Sequence, residues 1–351
     1  MKLNEIIDTD MLANELHAGY VTERFHPEFP ELAILNYTDR CQFDQHWTDV
    51  TRRTRGLIYN RETSEIVARP FAKFYNYGDT TNTGDLSPDA PILSAHNKWD
   101  GSLGIRYRQP DGRYAIATRG SFTSDQAIHA TSLLHAQPEG LPIPIDGQTD
   151  LFEIIFPGNR IVLDYGDMDA LMFLGAVEHA SGDFYPVRRR DEPNAKTLRE
   201  IIELPSRENA EGWVVWLDPQ RAVKFKQEDY LALHRIVSSL STKEVWRQLR
   251  AGTFEEFAVS LPDEFHQWAL ETAEPLLAQH SWTVAGAHAW VAAVHARGFE
   301  TRKDQALYIT REILPDVRGL VFSLLDGKDI TDAVWRMVEP MGADTSGRGE
   351  S

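Results

Sequence analysis

Up to Tyr230 the chain alternates short apolar runs with breaks rich in Gly, Pro and Asp, the pattern of half-buried strands joined by turns. Leu32 to Tyr37 reads as a strand. GLIYN and EIVARPFAKFYNYG, split by a turn at Arg61 to Ser64, read as a hairpin that runs on into an aromatic loop. Gly104 to Arg108 and Tyr114 to Arg119 flank Pro110-Asp111-Gly112 as a second hairpin. Leu151 to Tyr165 places Glu153 in an apolar strand that stops at Pro157-Gly158, and Leu171 to Val177 has the near-continuous apolar character of a central strand. EGWVVWL and AVKFK, separated by DPQR, form a last pair, in which Val223 and Phe225 face inward and Lys224 and Lys226 outward. Helices are predicted over residues 1–18, with Ile6, Ile7, Leu12 and Leu16 on one stripe, and over 127–135 and 196–204. A polar connection carrying Cys41 and His46 follows the first strand, and residues 80–91 and 138–150 read as loops.

Beyond Tyr230 strand signals nearly vanish, and Ala, Leu, Trp and Glu recur at helical spacing over 242–250, 254–259, 263–279, 283–297, 301–314 and 329–338. The expected organisation is a first domain over residues 1–234, an all-helical domain over 235–341, and a polar, Gly-rich tail over 342–351 that is expected to be disordered.

Composition narrows the function. The 351 residues are 42% hydrophobic and 25% charged, enough for two packed domains. No apolar run reaches the length of about eighteen residues that spans a bilayer, and the acidic, amphipathic start is unlike an export signal, so a cytoplasmic home without membrane contact is expected. Cys41 is the single cysteine, which excludes internal disulfides and cysteine zinc clusters and leaves oxygen or imidazole to hold any metal. A net charge of −17 speaks against a general nucleic-acid coat protein. It leaves room for a local basic groove, with pieces at Arg52, Arg53 and Arg55, at Arg188 to Arg190, and at Arg221, Lys224 and Lys226, each of which reads equally as ordinary solvated surface. From residue 235 on, twelve Lys and Arg face seventeen Asp and Glu, so the helical region is no obvious nucleic-acid clamp.

The chemistry centres on SAHNKWDGSLGIRY, where Lys98 precedes Trp99, Asp100, Gly101 and Ser102 on a tight turn that feeds a strand. A lysine amine at its ordinary pKa of about 10.4 is neutral in roughly one molecule in a few thousand at pH 7, a deficit of about 4.6 kcal/mol. Desolvation, neighbouring cations or a bound metal must remove most of that before such an amine attacks anything. An ordinary Asp-Gly hairpin turn is the competing reading. Glu153 needs a partner, a ribose hydroxyl, a water, an arginine or a metal, because an unpaired carboxylate in an apolar strand costs several kcal/mol. Lys224 and Lys226, two apart on one strand face, suit a phosphate or simply solvent. Cations interleaved with aromatics around Lys73, Phe74 and Tyr75 suit a polyphosphate and a base, or plain core.

The order of Lys98-Trp99-Asp100-Gly101, Phe152-Glu153, Leu171 to Glu178, Glu211-Gly212 and Val223-Lys224-Phe225-Lys226 resembles the five motifs of the covalent nucleotidyltransferases over residues 35 to 230. Asn36-Tyr37, Arg55-Gly56, Lys73-Phe74-Tyr75-Asn76 and Arg119-Gly120-Ser121 bring the resemblance closer to the ATP-dependent RNA ligase 1 family of phages and tRNA-repair ligases. So does the helical region where capping enzymes and most DNA ligases carry a β-barrel. Arg119 stands where that family typically has lysine, so a planar fork replaces a point charge.

The resemblance implies an α+β fold: a nucleotidyltransferase domain of antiparallel, ATP-grasp-like sheets with helices, followed by an all-helical domain. It implies ATP with Mg2+ or Mn2+ as cofactors. Lys98 would be the nucleophile, aided by Lys224 and Lys226; Tyr37, Arg55, Lys73, Tyr75, Gly101, Arg119, Glu153 and Gly212 would bind nucleotide or phosphates; Glu211 would orient the metal. The implied partner is RNA with 5′-phosphate and 3′-hydroxyl ends, nicked tRNA among the candidates. A monomer is expected, joining ends in RNA repair. GxxxxGK[ST] does not occur, so a separate kinase or phosphatase would heal the ends. A GTP-dependent capping guanylyltransferase and a non-catalytic RNA-binding protein are the alternatives.

Overall fold

The computed structural model describes residues 1–136, 140–159, 161–231, 240–261 and 263–340. The chain divides into two compact units, Met1–Val237 and Ser238–Ser351. The expected disordered tail over 342–351 lies outside the described residues.

The first unit is three sheets. The first is antiparallel, in the order β1 (Val21–Phe25), β2 (Leu32–Tyr37), β3 (Arg55–Asn60), β4 (Ile66–Ala68). Short β5 (Tyr75–Asn76) leads to β6 (Ser94–Lys98), β7 (Ser102–Arg108), β8 (Tyr114–Ala117), β9 (Gln148–Ile155), β10 (Ala170–Glu178), β11 (Phe184–Pro186), β12 (Gly212–Asp218) and β13 (Arg221–Lys226). These form a five-stranded sheet, β11-β10-β9-β7-β8, and a four-stranded one, β5-β13-β12-β6, in which only β5 runs parallel to its neighbour. The main core sits where the sheets meet: Ile34 and Ile58 from the first, Ile105, Leu151 and Val177 from the second, and Trp216 and Ala222 from the third pack around Phe71. The other face of the third sheet, through Ala95, Val215 and Val223, is covered by a helix at Leu198–Ile202.

Several elements differ from the sequence reading. The helix over 1–18 is a 3-10 turn at Leu3–Glu5 and a helix at Thr9–Ala18, because Asp8 caps the second by accepting from Asp10 N and Met11 N. The connection through Cys41 and His46 holds two short helices, Asp39–Phe43 and Asp49–Arg53, capped by Thr38 and Thr48. Strands β1 and β11 arise from stretches without a clear alternation, VTERF and FYP. β10 is interior, but β9 is the middle strand. KWDGS is not a hairpin turn: it carries the chain from β6 in the third sheet to β7 in the second.

In the second unit one helix runs continuously over Asp263–Ala296, through Pro275, where two were expected. Helices at Thr242–Ala251, Phe254–Ser260, Arg302–Glu312, Pro315–Leu325 and Thr331–Met337 accompany it. Among the described residues no helix is long and apolar enough to cross a membrane.

Candidate active site

A cavity of about 610 Å³ opens where the three sheets meet. The first sheet lines it with Thr22, Arg24, Asn36 and Arg55, the second with Leu103, Glu153 and Leu174, and the third with His96, Lys98, Val214 and Trp216. Arg119 and Gly120, just past β8, close another side.

Lys98 ends β6 and Gly212 opens β12; Lys98 and Lys226 both lie directly opposite Gly212 on its two neighbouring strands. Directly paired residues put their side chains on one sheet face, so both lysines share the cavity face with Val214, and so does Lys224, which pairs with Val214. Glu211 is 2% exposed, and its Oε1 lies 2.7 Å from Lys98 Nζ and 3.1 Å from Lys226 Nζ. Two ammonium groups thus share one buried carboxylate oxygen, while Oε2 is buried without a hydrogen-bond partner. Gly212 has φ of +148°, and a Cβ there would stand 1.8 Å from Phe225 O, so only glycine lets β13 approach this closely.

The turn after Lys98 is pinned by Asp100. Its buried carboxylate accepts from Val162 N (2.9 Å) and Leu163 N (2.8 Å) through Oδ2 and from the Tyr230 hydroxyl (2.9 Å) through Oδ1, and its own N–H donates to Tyr165 Oη. Gly101 passes so near β9 that a Cβ would be 2.5 Å from Ile154 O, and its N–H donates to Glu153 Oε1 at 3.2 Å. Burial pushes the Glu153 carboxyl up to about 7, with Glu211 adding to the rise and Lys98 and Arg55 opposing it.

Arg55 lies over the rings of Phe71 (4.9 Å) and Phe74 (5.7 Å), with one buried Nη1 unpartnered. Burial holds its guanidinium below the ordinary arginine value, Tyr37 opposes this and Arg119 adds to it. Tyr37 is 2% exposed; its hydroxyl accepts from Arg119 Nη1 at 2.8 Å, and Arg119 lies over its ring at 4.9 Å.

Of the residues singled out from sequence, Lys98, Arg55, Gly101, Arg119 and Glu153 line the cavity. Glu211, Gly212 and Lys226 adjoin it through Lys98, and Lys224 shares the sheet face. Tyr37 sits behind Arg119. Lys73 and Tyr75 line a smaller cavity instead, where Lys73 Nζ is held among the rings of Tyr37, Trp47 and Tyr75, 4.8 to 5.8 Å from their centroids. Arg24, Thr22 and His96 line the main cavity without a sequence signal to pick them out, since only the pairing of β1 with β2 and of β6 with β12 brings them there. Asn36 keeps a buried, unpartnered Oδ1.

For a divalent cation, the unpartnered Glu211 Oε2 and the nearby Glu153 are oxygen donors of the right kind. No group of three or more His, Cys, Asp and Glu gathers among the described residues, so a metal here would use one or two carboxylates, with phosphate oxygens and water completing its shell.

No family model matches the chain. A protein of Thermovibrio ammonificans named as an RNA ligase is 27% identical over 122 residues, covering 34% of this chain and 32% of that protein. A protein of Autographa californica nuclear polyhedrosis virus named as a bifunctional polynucleotide kinase/RNA ligase is 25% identical over 267 residues, covering 66% and 38%. The matched region spans about a third of the length of these curated relatives. Among solved structures, an archaeal ATP-dependent RNA ligase aligns over 80% of each chain at 14% identity with a TM-score of 0.42. By sequence, the chain is similar to proteins named as RNA ligases.

Proposed function

We propose that the protein is an ATP-dependent RNA ligase that works through AMP carried on Lys98. The observation that carries this is the Lys98 amine at the wall of a 610 Å³ cavity, sharing Glu211 Oε1 with Lys226 and facing Arg55 and Arg119.

In the first step Lys98 Nζ forms a bond to the α-phosphorus of ATP, and the bond from that phosphorus to the pyrophosphate oxygen breaks. The ammonium proton has an acceptor in Glu211 Oε1 at 2.7 Å. In the second step a 5′-phosphate oxygen of RNA takes the AMP and frees Lys98. In the third, the 3′-hydroxyl of the other end displaces AMP and closes the phosphodiester. Each is an in-line phosphoryl transfer, in which positioning and charge neutralisation do most of the work. Lys226 and Lys224 neutralise the α-phosphate from one sheet face, and Arg55 and Arg119 hold the remaining phosphates from the opposite wall. Tyr37 keeps Arg119 aimed, and Gly101 and Gly212 let the backbone approach closely. Mg2+ or Mn2+, bound through Glu211 and Glu153, would add positive charge beside the phosphates. The working form is a cytoplasmic monomer acting in RNA repair, with nicked tRNA among its substrates and a separate enzyme preparing the ends.

The test is incubation with ATP labelled at the α-phosphorus. The wild-type chain takes up label and Lys98→Ala takes up none; label persisting on Lys98→Ala removes the nucleophile assignment. Label from GTP in place of ATP would turn the reading to a capping guanylyltransferase.

A further inference from the structure

Behind the wall formed by Phe71 and Phe74, which line both cavities, lies a second cavity of about 320 Å³. Pieces of two of the basic clusters in the sequence converge on it: Arg52 and Arg53 from the helix before β3, and Arg221 from the start of β13, joined by Arg69 and Lys73. Two carboxylates, Asp49 and Asp218, also line it, and Asp49 pairs with Arg53 at 3.3 Å. Five cations against two anions is an unusual concentration for a chain of net charge −17. Several are already tethered: Arg53 also donates to Ile6 O, Arg69 to His179 O, and Arg221 to Thr83 O at 2.5 Å. The Arg52 side chain has no ion-pair or hydrogen-bond partner among the described residues. Tyr75, 8% exposed, lines the same cavity and leaves its hydroxyl buried without a hydrogen-bond partner. A buried donor with nothing to donate to, beside an excess of guanidinium groups, is the chemistry of an anion site.

We propose that this cavity binds a backbone phosphate of the RNA strand, holding the strand beside the nucleotide cavity across the Phe71–Phe74 wall. The identity of the strand rests on the reading of the protein as an RNA ligase. The binding itself is tested without ATP, so the two fail separately.

Fluorescence anisotropy with a short 5′-phosphorylated single-stranded RNA, over a salt series, compares wild type with Arg52→Ala/Arg221→Ala. The double variant is expected to bind RNA roughly tenfold more weakly at low salt, as removal of charge-assisted hydrogen bonds implies. Its dependence of log K on log[salt] flattens by about 0.7 for each phosphate no longer neutralised. Arg52→Lys/Arg221→Lys restores most of the binding, and pyrophosphate titrated calorimetrically binds the Ala variant with wild-type affinity. RNA binding that is unchanged in a variant with an intact melting curve overturns the proposal. So does an equal loss of pyrophosphate affinity, which would assign the cavity to the nucleotide's own phosphates. Should the double variant fail to fold, Arg52→Glu alone, at an exposed side chain that no ion pair among the described residues holds, gives the same readout.

Discussion

Glu153 gives a pH dependence with a definite sign. Burial raises its carboxyl from the ordinary 4.5 to about 7 in the folded chain. Below pH 4.5 it is protonated folded and unfolded alike and costs nothing; between 4.5 and 7 the unfolded chain ionises it first, so stability falls as pH rises, and above 7 the loss is complete. The gap corresponds to about 3 kcal/mol. Glu153→Gln keeps an acceptor for Gly101 N and removes the titration. The assay is urea denaturation of wild type and Glu153→Gln at a series of pH values. The free energy of unfolding of the variant, relative to wild type, should rise by about 3 kcal/mol from pH 4.5 to pH 8, with most of the change centred between 5 and 7. Parallel profiles for the two proteins would mean that Glu153 titrates alike folded and unfolded, and burial would then not raise its carboxyl. A change in the opposite direction would mean that Lys98 and Arg55 outweigh burial.

Gly212→Ala should disrupt the β12–β13 pairing by more than about 3 kcal/mol, since its Cβ would fall 1.8 Å from Phe225 O at a positive φ; an unchanged melting temperature would contradict this. Asp100→Ala removes the acceptor shared by Val162 N, Leu163 N and the Tyr230 hydroxyl and should cost about 3–5 kcal/mol while also weakening labelling of Lys98, both readable from a melting curve and an adenylation assay. Tyr37→Phe removes the acceptor of Arg119 and should lower adenylation kcat/KM about tenfold without unfolding the chain; steady-state kinetics with ATP reads it, and wild-type kinetics would remove Tyr37 from the phosphate-holding apparatus.

The strands that carry the chemistry were legible because their apolar alternation is local. β7, β9 around Glu153, and the β12–β13 pair follow from side-chain order, whereas β6, SAHNK, carries its lysine without an apolar alternation of its own. What remained hidden depends on partners far along the chain. That KWDGS joins two sheets is decided by β6 pairing with β12 and β7 with β9, more than a hundred residues apart in the first case. Arg24 reaches the cavity because Val21–Phe25 is held by β2, although VTERF alone shows little pattern. Lys73 and Tyr75 sit among aromatics as expected, yet the rings enclose Lys73 from a cavity beside the main one, a distinction that spacing does not encode. The caps Asp8, Thr38 and Thr48 were readable helix starts; in the polar stretch from Thr38 to Thr54 the helices they begin are too short to show periodicity.

The two-residue connection Pro219-Gln220 acts as a reading frame for the whole reactive face. An extra residue there that is passed into β13 with the two-residue turn kept would slide the strand by one step, set Phe225 opposite Gly212, and turn Lys224 and Lys226 away toward the helix at Leu198–Ile202. The tip of this hairpin is therefore a surface loop whose length bears on which face of β13 meets the cavity.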